Sequence, residues 1–138
     1  NEVERRLIAL SIDWEGSIMI EKRFDKRIQK FQLLPRVNIA NTKRELIEYF
    51  KSLTRTGSIT IAHRSNPNHK DTYYWFLTGV KPVKDFLEQI KDYLIGKKEV
   101  CNAVLEFCNL RMKRYGKPYS ERELQLYEKV RLLNKRGR

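Results

Sequence analysis

Apolar residues open the chain at helical spacing. Val3, Leu7, Leu10 and Trp14 follow at intervals of four, three and four, and Ile8 and Ile12 form a second stripe beside them. A surface helix needs only one apolar stripe, with a period near 3.6 residues. Two stripes predict a helix with two faces to bury, one against its own domain and one against something else. Residues 1–6 form the polar opening of this helix and Gly16 ends it. The period then falls to two. Residues 17–24 read as a strand, as do residues 31–39, where Leu33, Val37 and Ile39 share one parity and Gln32, Leu34, Arg36 and Asn38 the other. Pro35 has no N–H to give a neighbouring strand, so an edge position or a bulge is expected there. Residues 25–27 supply the turn between the two strands.

Thr42 and Glu45 have the spacing of a capping box, opening an amphipathic helix with Leu46, Ile47, Tyr49, Phe50 and Leu53. Gly57 breaks it. Residues 58–64 and 72–78 read as two more strands around a polar hairpin loop, with His63 on the inward parity as a core histidine. Pro82 suits the first turn of a helix, where its missing N–H is harmless; Val83, Phe86, Leu87, Ile90 and Leu94 line that helix. Another helix follows Gly96, with Val100, Val104, Phe107 and Cys108. After the break at residues 116–118, Ser120 and Glu123 form a second capping box for a last helix carrying Leu124, Tyr127, Val130 and Leu133. The order helix, strand, strand, helix, strand, strand, helix and two more helices predicts an α+β fold. Its sheet is antiparallel and its helices pack on one face. No internal repeat is visible, and 138 residues suit one domain.

Charge narrows the partner. Lys and Arg number 29 against 17 Asp and Glu, a formal net charge of +12. Self-repulsion on that scale in a small domain points to a polyanion. No apolar run is long enough to span a bilayer, no signal-peptide pattern opens the chain, and no basic amphipathic helix with a lipid-facing stripe appears. No membrane association is therefore expected. Cys101 and Cys108 lie two helical turns apart, too far for a disulfide. They read as small core residues in a reducing, intracellular setting. With His63 and His69 the only imidazoles, a zinc cage lacks ligands.

The segment at residues 9–17, Ala-Leu-Ser-Ile-Asp-Trp-Glu-Gly-Ser, combines a helix end, two acids two residues apart, a glycine and a small polar residue opening a strand. A carboxylate at a helix C-terminus sits at the negative end of the dipole, which a cation would relieve. This nonapeptide resembles the motif of the LAGLIDADG endonucleases. The element order is similar to their αββαββα core, and residues 79–87 and 93–102 look like their third helix and their lysine segment. The resemblance covers roughly residues 4–110 and leaves 111–138 as a C-terminal helical extension. It departs from the family at Leu10 and Trp14, where small residues usually let two motif helices approach.

The resemblance implies a site-specific DNA endonuclease, of intron or intein type, in a prokaryotic cytoplasm or an organelle. With one motif in the chain, it implies a homodimer on a long pseudo-palindromic duplex, with Leu7, Leu10, Ser11 and Trp14 at the interface. Glu15, with Gly16, would hold Mg²⁺, for which Mn²⁺ or Ca²⁺ substitutes in binding. Asp13 would help to cap and position the helix. Lys97 would stabilise charge on the scissile phosphate or activate water, although Lys98 beside it leaves the register open. Asn41 would orient water, or serve as a turn residue. The double-strand break would leave short 3′ overhangs.

On the same resemblance the four strands lay a saddle in the major groove. The outward parity carries Ser17, Met19, Glu21 and Arg23 on the first strand and Gln32, Leu34, Arg36 and Asn38 on the second. Ser58, Thr60, Ala62 and Arg64 follow on the third, and Tyr74, Phe76 and Thr78 on the fourth. Arg and Asn suit bidentate contacts with guanine and adenine, and apolar members such as Met19 and Phe76 suit thymine methyls. Lys and Arg in the loops and last helices, including the tail at residues 135–138, would meet phosphates. Two other functions share this scaffold: an RNA-splicing maturase, whose partner is intron RNA, and a catalytically silent DNA-binding regulator. Glu15 and Lys97 favour the endonuclease over the regulator, and nothing in the sequence separates it from the maturase.

Overall fold

The computed structural model describes residues 1–63 and 65–136, with Arg136 by its backbone only. Helix α1 (Glu2–Glu15) passes without a loop into β1 (Gly16–Asp25), which pairs antiparallel with β2 (Lys30–Asn41). Helix α2 (Arg44–Thr54), β3 (Ser58–Ala62) and β4 (Thr72–Thr78) follow. The chain then forms α3 (Val80–Ile90), a 3-10 turn (Lys91–Tyr93), α4 (Lys98–Lys113) and α5 (Glu121–Arg136). The strands make one antiparallel sheet in the order β1-β2-β4-β3. This is the expected α+β architecture.

Strand parity decides what the sheet shows to each side. Ile18, Ile20, Leu33, Val37, Ile39, Trp75 and Leu77 point into one core with Ile8, Ala9 and Ile12 of α1, Ile47 and Phe50 of α2 and the apolar sides of α3 and α4. Trp75 lies at its centre. Its ring meets Phe50 edge-on with centroids 4.8 Å apart, and Nε1 donates to the Thr56 carbonyl at 2.8 Å. Gly57 makes room for that indole, since a Cβ there would come within 2.3 Å of Nε1, and its φ of +89° also favours glycine. Leu126 and Val130 of α5 enter the same core. The expected apolar face of α5 is therefore rotated. Leu124 is exposed, and Leu126 takes the inward place because the helix packs between α4 and β1.

Pro35 causes no bulge. Register runs unbroken from Gly16↔Ile39 to Asp25↔Lys30, with Ile20 opposite Pro35. The Pro35 carbonyl accepts from Gly79 N at 3.1 Å, so the position of its missing N–H faces the β4 side, beyond the last paired residue, Arg36. No strand residue there needs a donor. Nearby, Leu33 N donates to the Tyr119 hydroxyl at 2.7 Å on the same open edge.

Two local expectations are corrected. The cap of α2 is Lys43, with no side-chain cap bond. Thr42 does not cap, because the Asn41 side chain has already turned the chain by accepting from Lys43 N at 2.8 Å. His63 is not in the core. β3 ends at Ala62, and His63 stands exposed with Nδ1 3.1 Å from Asp71 Oδ2. The second capping box forms as expected, with the Ser120 and Glu123 side chains each accepting from the other's backbone N–H at 2.9–3.2 Å. Cys101 and Cys108 are buried free thiols pushed up to about 12 by burial, so they are inert. Among the described residues, no helix is long and apolar enough to cross a membrane.

Candidate active site and nucleic-acid interface

Glu15 is the last residue of α1, and its exposed carboxylate has no hydrogen bond or ion pair among the described residues. Gly16 is required by close approach. A Cβ would meet Ile12 Cα at 2.9 Å where β1 leaves across the last helical turn. Asp13 is fully engaged. Its Oδ2 accepts from Ile95 N at 2.8 Å and its Oδ1 from Lys97 N at 2.9 Å, placing a negative group at the positive end of α4. The Lys97 ammonium returns the contact, donating to the Asp13 carbonyl at 2.9 Å. That carbonyl is one of those a helix leaves unpaired at its C-terminus. Three bonds thus lock the end of α1 to the start of α4 and hold a cation two residues from Glu15. The neighbouring lysine does not share this place. Lys98 is exposed, whereas Lys97 is half-buried and lines the cleft.

A cleft of about 700 Å³ opens beside this junction, lined by Gly16, Ser17 and Met19, by Lys97 and Glu99, and by Arg131, Asn134 and Lys135 of α5. Asn134 Nδ2 donates to the Ile18 carbonyl at 2.9 Å, fastening α5 along the outer edge of β1. The sequence showed basic residues in the last helix but not their place beside Lys97. The only signal was the four-residue interval from Arg131 to Lys135, which puts both on one helix side. Asn41 is not among the residues lining the cleft, and its side-chain oxygen serves the turn before α2.

The donor chemistry admits one class of metal. Among the described residues no group of three or more His, Cys, Asp or Glu could hold an ion, which is unlike a closed structural site. A single oxygen donor set at Glu15, with the Gly16 carbonyl, fits a hard cation that takes one or two carboxylates plus phosphate oxygens and water, as Mg²⁺ does.

The outward sheet face assembles in rows across the strands. Ser17, Asn38, Phe76 and Ser58 are cross-strand neighbours, and Met19, Arg36 and Thr78 form the next row. Glu21 faces Leu34, and Arg23 faces Gln32 further out. Thr60 pairs with Tyr74, which is also opposite Ala40, an outward residue the parity argument passed over. Ala62 faces Thr72 at the far edge. Arg64 lies outside the described residues, as do Gly137, Arg138 and the Arg136 side chain. On α1, Leu7 and Leu10 are exposed and Trp14 is 78% exposed, while Ser11 is half-buried and donates to the Leu7 carbonyl at 2.8 Å. Both faces of α1 are therefore as the two stripes predict: Ile8 and Ile12 are buried, and Val3, Leu7, Leu10 and Trp14 are left uncovered.

No protein-family model matches the sequence, and no curated protein is similar to it. Solved structures are similar. The homing endonuclease I-CvuI, in complex with the I-CreI target, superposes with a TM-score of 0.75 at 18% identity, over 96% of this chain and 82% of that one. The archaeal intron-encoded homing endonuclease I-Vdi141I, complexed with DNA, gives 0.75 at 21% identity, over 96% and 84%. The LAGLIDADG homing endonuclease I-GzeII, in complex with its DNA target, gives 0.66 at 19% identity, with 94% of this chain matching 43% of that one. With its four-stranded antiparallel sheet in the order β1-β2-β4-β3, its helices and these structural likenesses, the chain has the fold of the LAGLIDADG homing endonucleases.

Proposed function

We propose that this protein is a site-specific DNA endonuclease that binds a pseudo-palindromic duplex as a homodimer and cuts both strands with Mg²⁺, leaving short 3′ overhangs. The observation that carries the reading is the junction of α1, β1 and α4. Glu15, whose carboxylate has no partner among the described residues, ends α1 there, two residues after the Asp13 that the Lys97 ammonium buttresses, at one end of an outward polar and apolar sheet face. Glu15 and the Gly16 carbonyl would hold the metal, which when bound neutralises phosphate charge and supplies an activated water. Lys97 offers fixed positive charge for the phosphate, and a donor that is already in position needs no reorganisation during reaction. Along β1, Ser17 to Arg23 spans about 20 Å at ~3.3 Å per residue, or roughly six base pairs at ~3.4 Å each. Loop and helix cations, Lys135 among them, would add affinity without sequence information.

The homodimer is supported by the uncovered stripe on α1, and divalent-metal binding by the DNA complexes of I-CvuI, one in 2 mM Mg with the DNA not cleaved and one in 2 mM Ca. The test is incubation of the protein with a library of duplexes and Mg²⁺, with EDTA as the control. Cleavage at a defined site, lost with EDTA, is expected. Glu15→Gln should abolish cleavage while leaving DNA affinity within about tenfold, ~1.4 kcal/mol. Substantial cleavage by that variant removes Glu15 from the site, and binding to RNA with no cleavage of any duplex favours the maturase.

A further inference from the structure

Among the described residues, Arg36 is the one arginine on the outward face that is held from two sides. Its Nε lies 3.2 Å from Glu21 Oε1, and its guanidinium carbon sits 4.8 Å above the Phe76 ring. Its side chain is only 17% exposed. Glu21 is in turn gripped by Arg23, whose Nε donates to the other carboxylate oxygen at 2.7 Å. The three groups come from adjacent strands: Glu21 from β1, Arg36 from β2 and Phe76 from β4. The register brings them together at the centre of the face. Held over a ring face and ion-paired at Nε, the guanidinium is restrained, and neither terminal nitrogen has a hydrogen bond among the described residues. Two parallel N–H donors on a fixed plane match the O6 and N7 acceptors of guanine.

We infer that Arg36 reads a guanine at one position of each half-site, and that Glu21 and Phe76 are positioning residues that fix its plane rather than base readers in their own right. The inference rests on the reading of the sheet as a DNA-binding face. Glu21 is ion-paired to Arg36 through one carboxylate oxygen and to Arg23 through the other, which ties it to the two arginines. Arg36 stands one row beyond Ser17, a rise of about 7 Å at ~3.3 Å per residue, which puts the guanine on the order of two base pairs outward from the active-site end. Arg23, which is bound to Glu21 but not stacked on a ring, lacks that fixed plane, so a weaker preference is expected further out.

The test is selection of bound and cleaved targets from a library randomised across the half-site, with melting temperatures measured on every protein. Wild type should prefer guanine at least tenfold at one inner position. Arg36→Ala should erase that preference, and Arg36→Lys should leave only a remnant because a point charge has no fork. Glu21→Leu and Phe76→Leu should each lower discrimination at this same position. Glu21→Gln, which keeps the side-chain length but removes the charge of the ion pair with Arg36, should lower it as well. A purely structural role for Glu21 would lower the melting temperature without touching the base preference. If Glu21→Leu does not fold, Phe76→Leu carries the comparison. The inference is overturned if Arg36→Ala keeps the guanine preference, or if the Glu21 variants change a different position from the Arg36 variants. If wild type selects no duplex at all, the endonuclease reading itself has failed, and this inference with it.

Discussion

Single atoms decide much of this site. Asp13 and Glu15 are two carboxylates two residues apart in the same helical turn, yet their environments are opposite. The first accepts from two backbone N–H groups, and the second has no partner among the described residues. Asp13 is therefore a fastening and Glu15 a group left available for chemistry. Gly57 is an equally local requirement far from the junction. Gly57→Ala would set a methyl 2.3 Å from Trp75 Nε1 and force an L-residue to a φ of +89°. Strain of that backbone kind costs about 1–3 kcal/mol, and overpacking adds a similar amount. Urea denaturation should show a loss of about 2–4 kcal/mol; a loss below about 0.5 would mean that Trp75 has room to move.

Among the elements, α5 joins the core to the cleft, and its attachment depends on one buried carboxylate. Glu123 is fully buried, bonded to Arg111 Nη1 at 2.9 Å, Arg114 Nε at 3.1 Å and the Ser120 hydroxyl at 2.9 Å. Burial pushes its carboxyl up, but the Ser120 backbone N–H, the Arg111 guanidinium and the Ser120 hydroxyl together outweigh burial and hold it below the ordinary glutamate value. A group lowered in this way adds stability that is present above the unfolded value, about 4.3, and is lost as pH falls through the folded one. Wild type should thus hold its stability down to about pH 5 and lose it progressively below about pH 4.3. Glu123→Gln should be about 3 kcal/mol less stable near neutrality, at the low end for a broken buried pair because Arg114 is partly exposed. It should also show a shallower acid dependence, measured by circular dichroism across a pH series. Equal acid slopes in the two proteins would place the titrating group elsewhere.

For the whole molecule, the open question is what covers the outer stripe of α1. Val3, Leu7, Leu10 and Trp14 would each gain about 1.5–3 kcal/mol on going from full exposure to full burial; since they are already partly covered, the two copies together gain on the order of 7–14 kcal/mol. Association costs on the order of 4–15 kcal/mol, so a dimer on this stripe alone is marginal and should depend on concentration, and bound DNA should tighten it. Trp14→Glu is the discriminating change. Its side chain is 78% exposed in the single chain, so the monomer should lose little stability, within about 0.5 kcal/mol for an exposed site. Sedimentation should show wild type dimerising in the micromolar range and Trp14→Glu remaining a monomer. Wild type that is monomeric both alone and with its target would leave the stripe without its proposed role.

Periodicity and local chemistry alone determined the element order, the two faces of α1, the alternation of the sheet and the place of Glu15 at a helix end. These follow from what each residue does to its near neighbours. Apolar side chains repeat with the backbone's own period, and glycine permits the close passage of β1 over Ile12. The acid–glycine junction was legible for the same reason, whereas the lysine segment was legible only through its resemblance to the LAGLIDADG endonucleases. Only the tertiary structure put Lys97, and not Lys98, against Asp13, since that contact depends on which amide meets the Asp13 carboxylate across 84 positions of sequence. It also set α5 against the edge of β1 and put Leu126 inward in place of Leu124. It took His63 out of the core, where β3 stops short. It showed that Pro35 needs no bulge, because β4 ends before reaching it. Long-range register brings Glu21, Arg36 and Phe76 together from three strands, and no local pattern encodes that meeting. The pairing of strands fixes it, and pairing is a property of the folded chain.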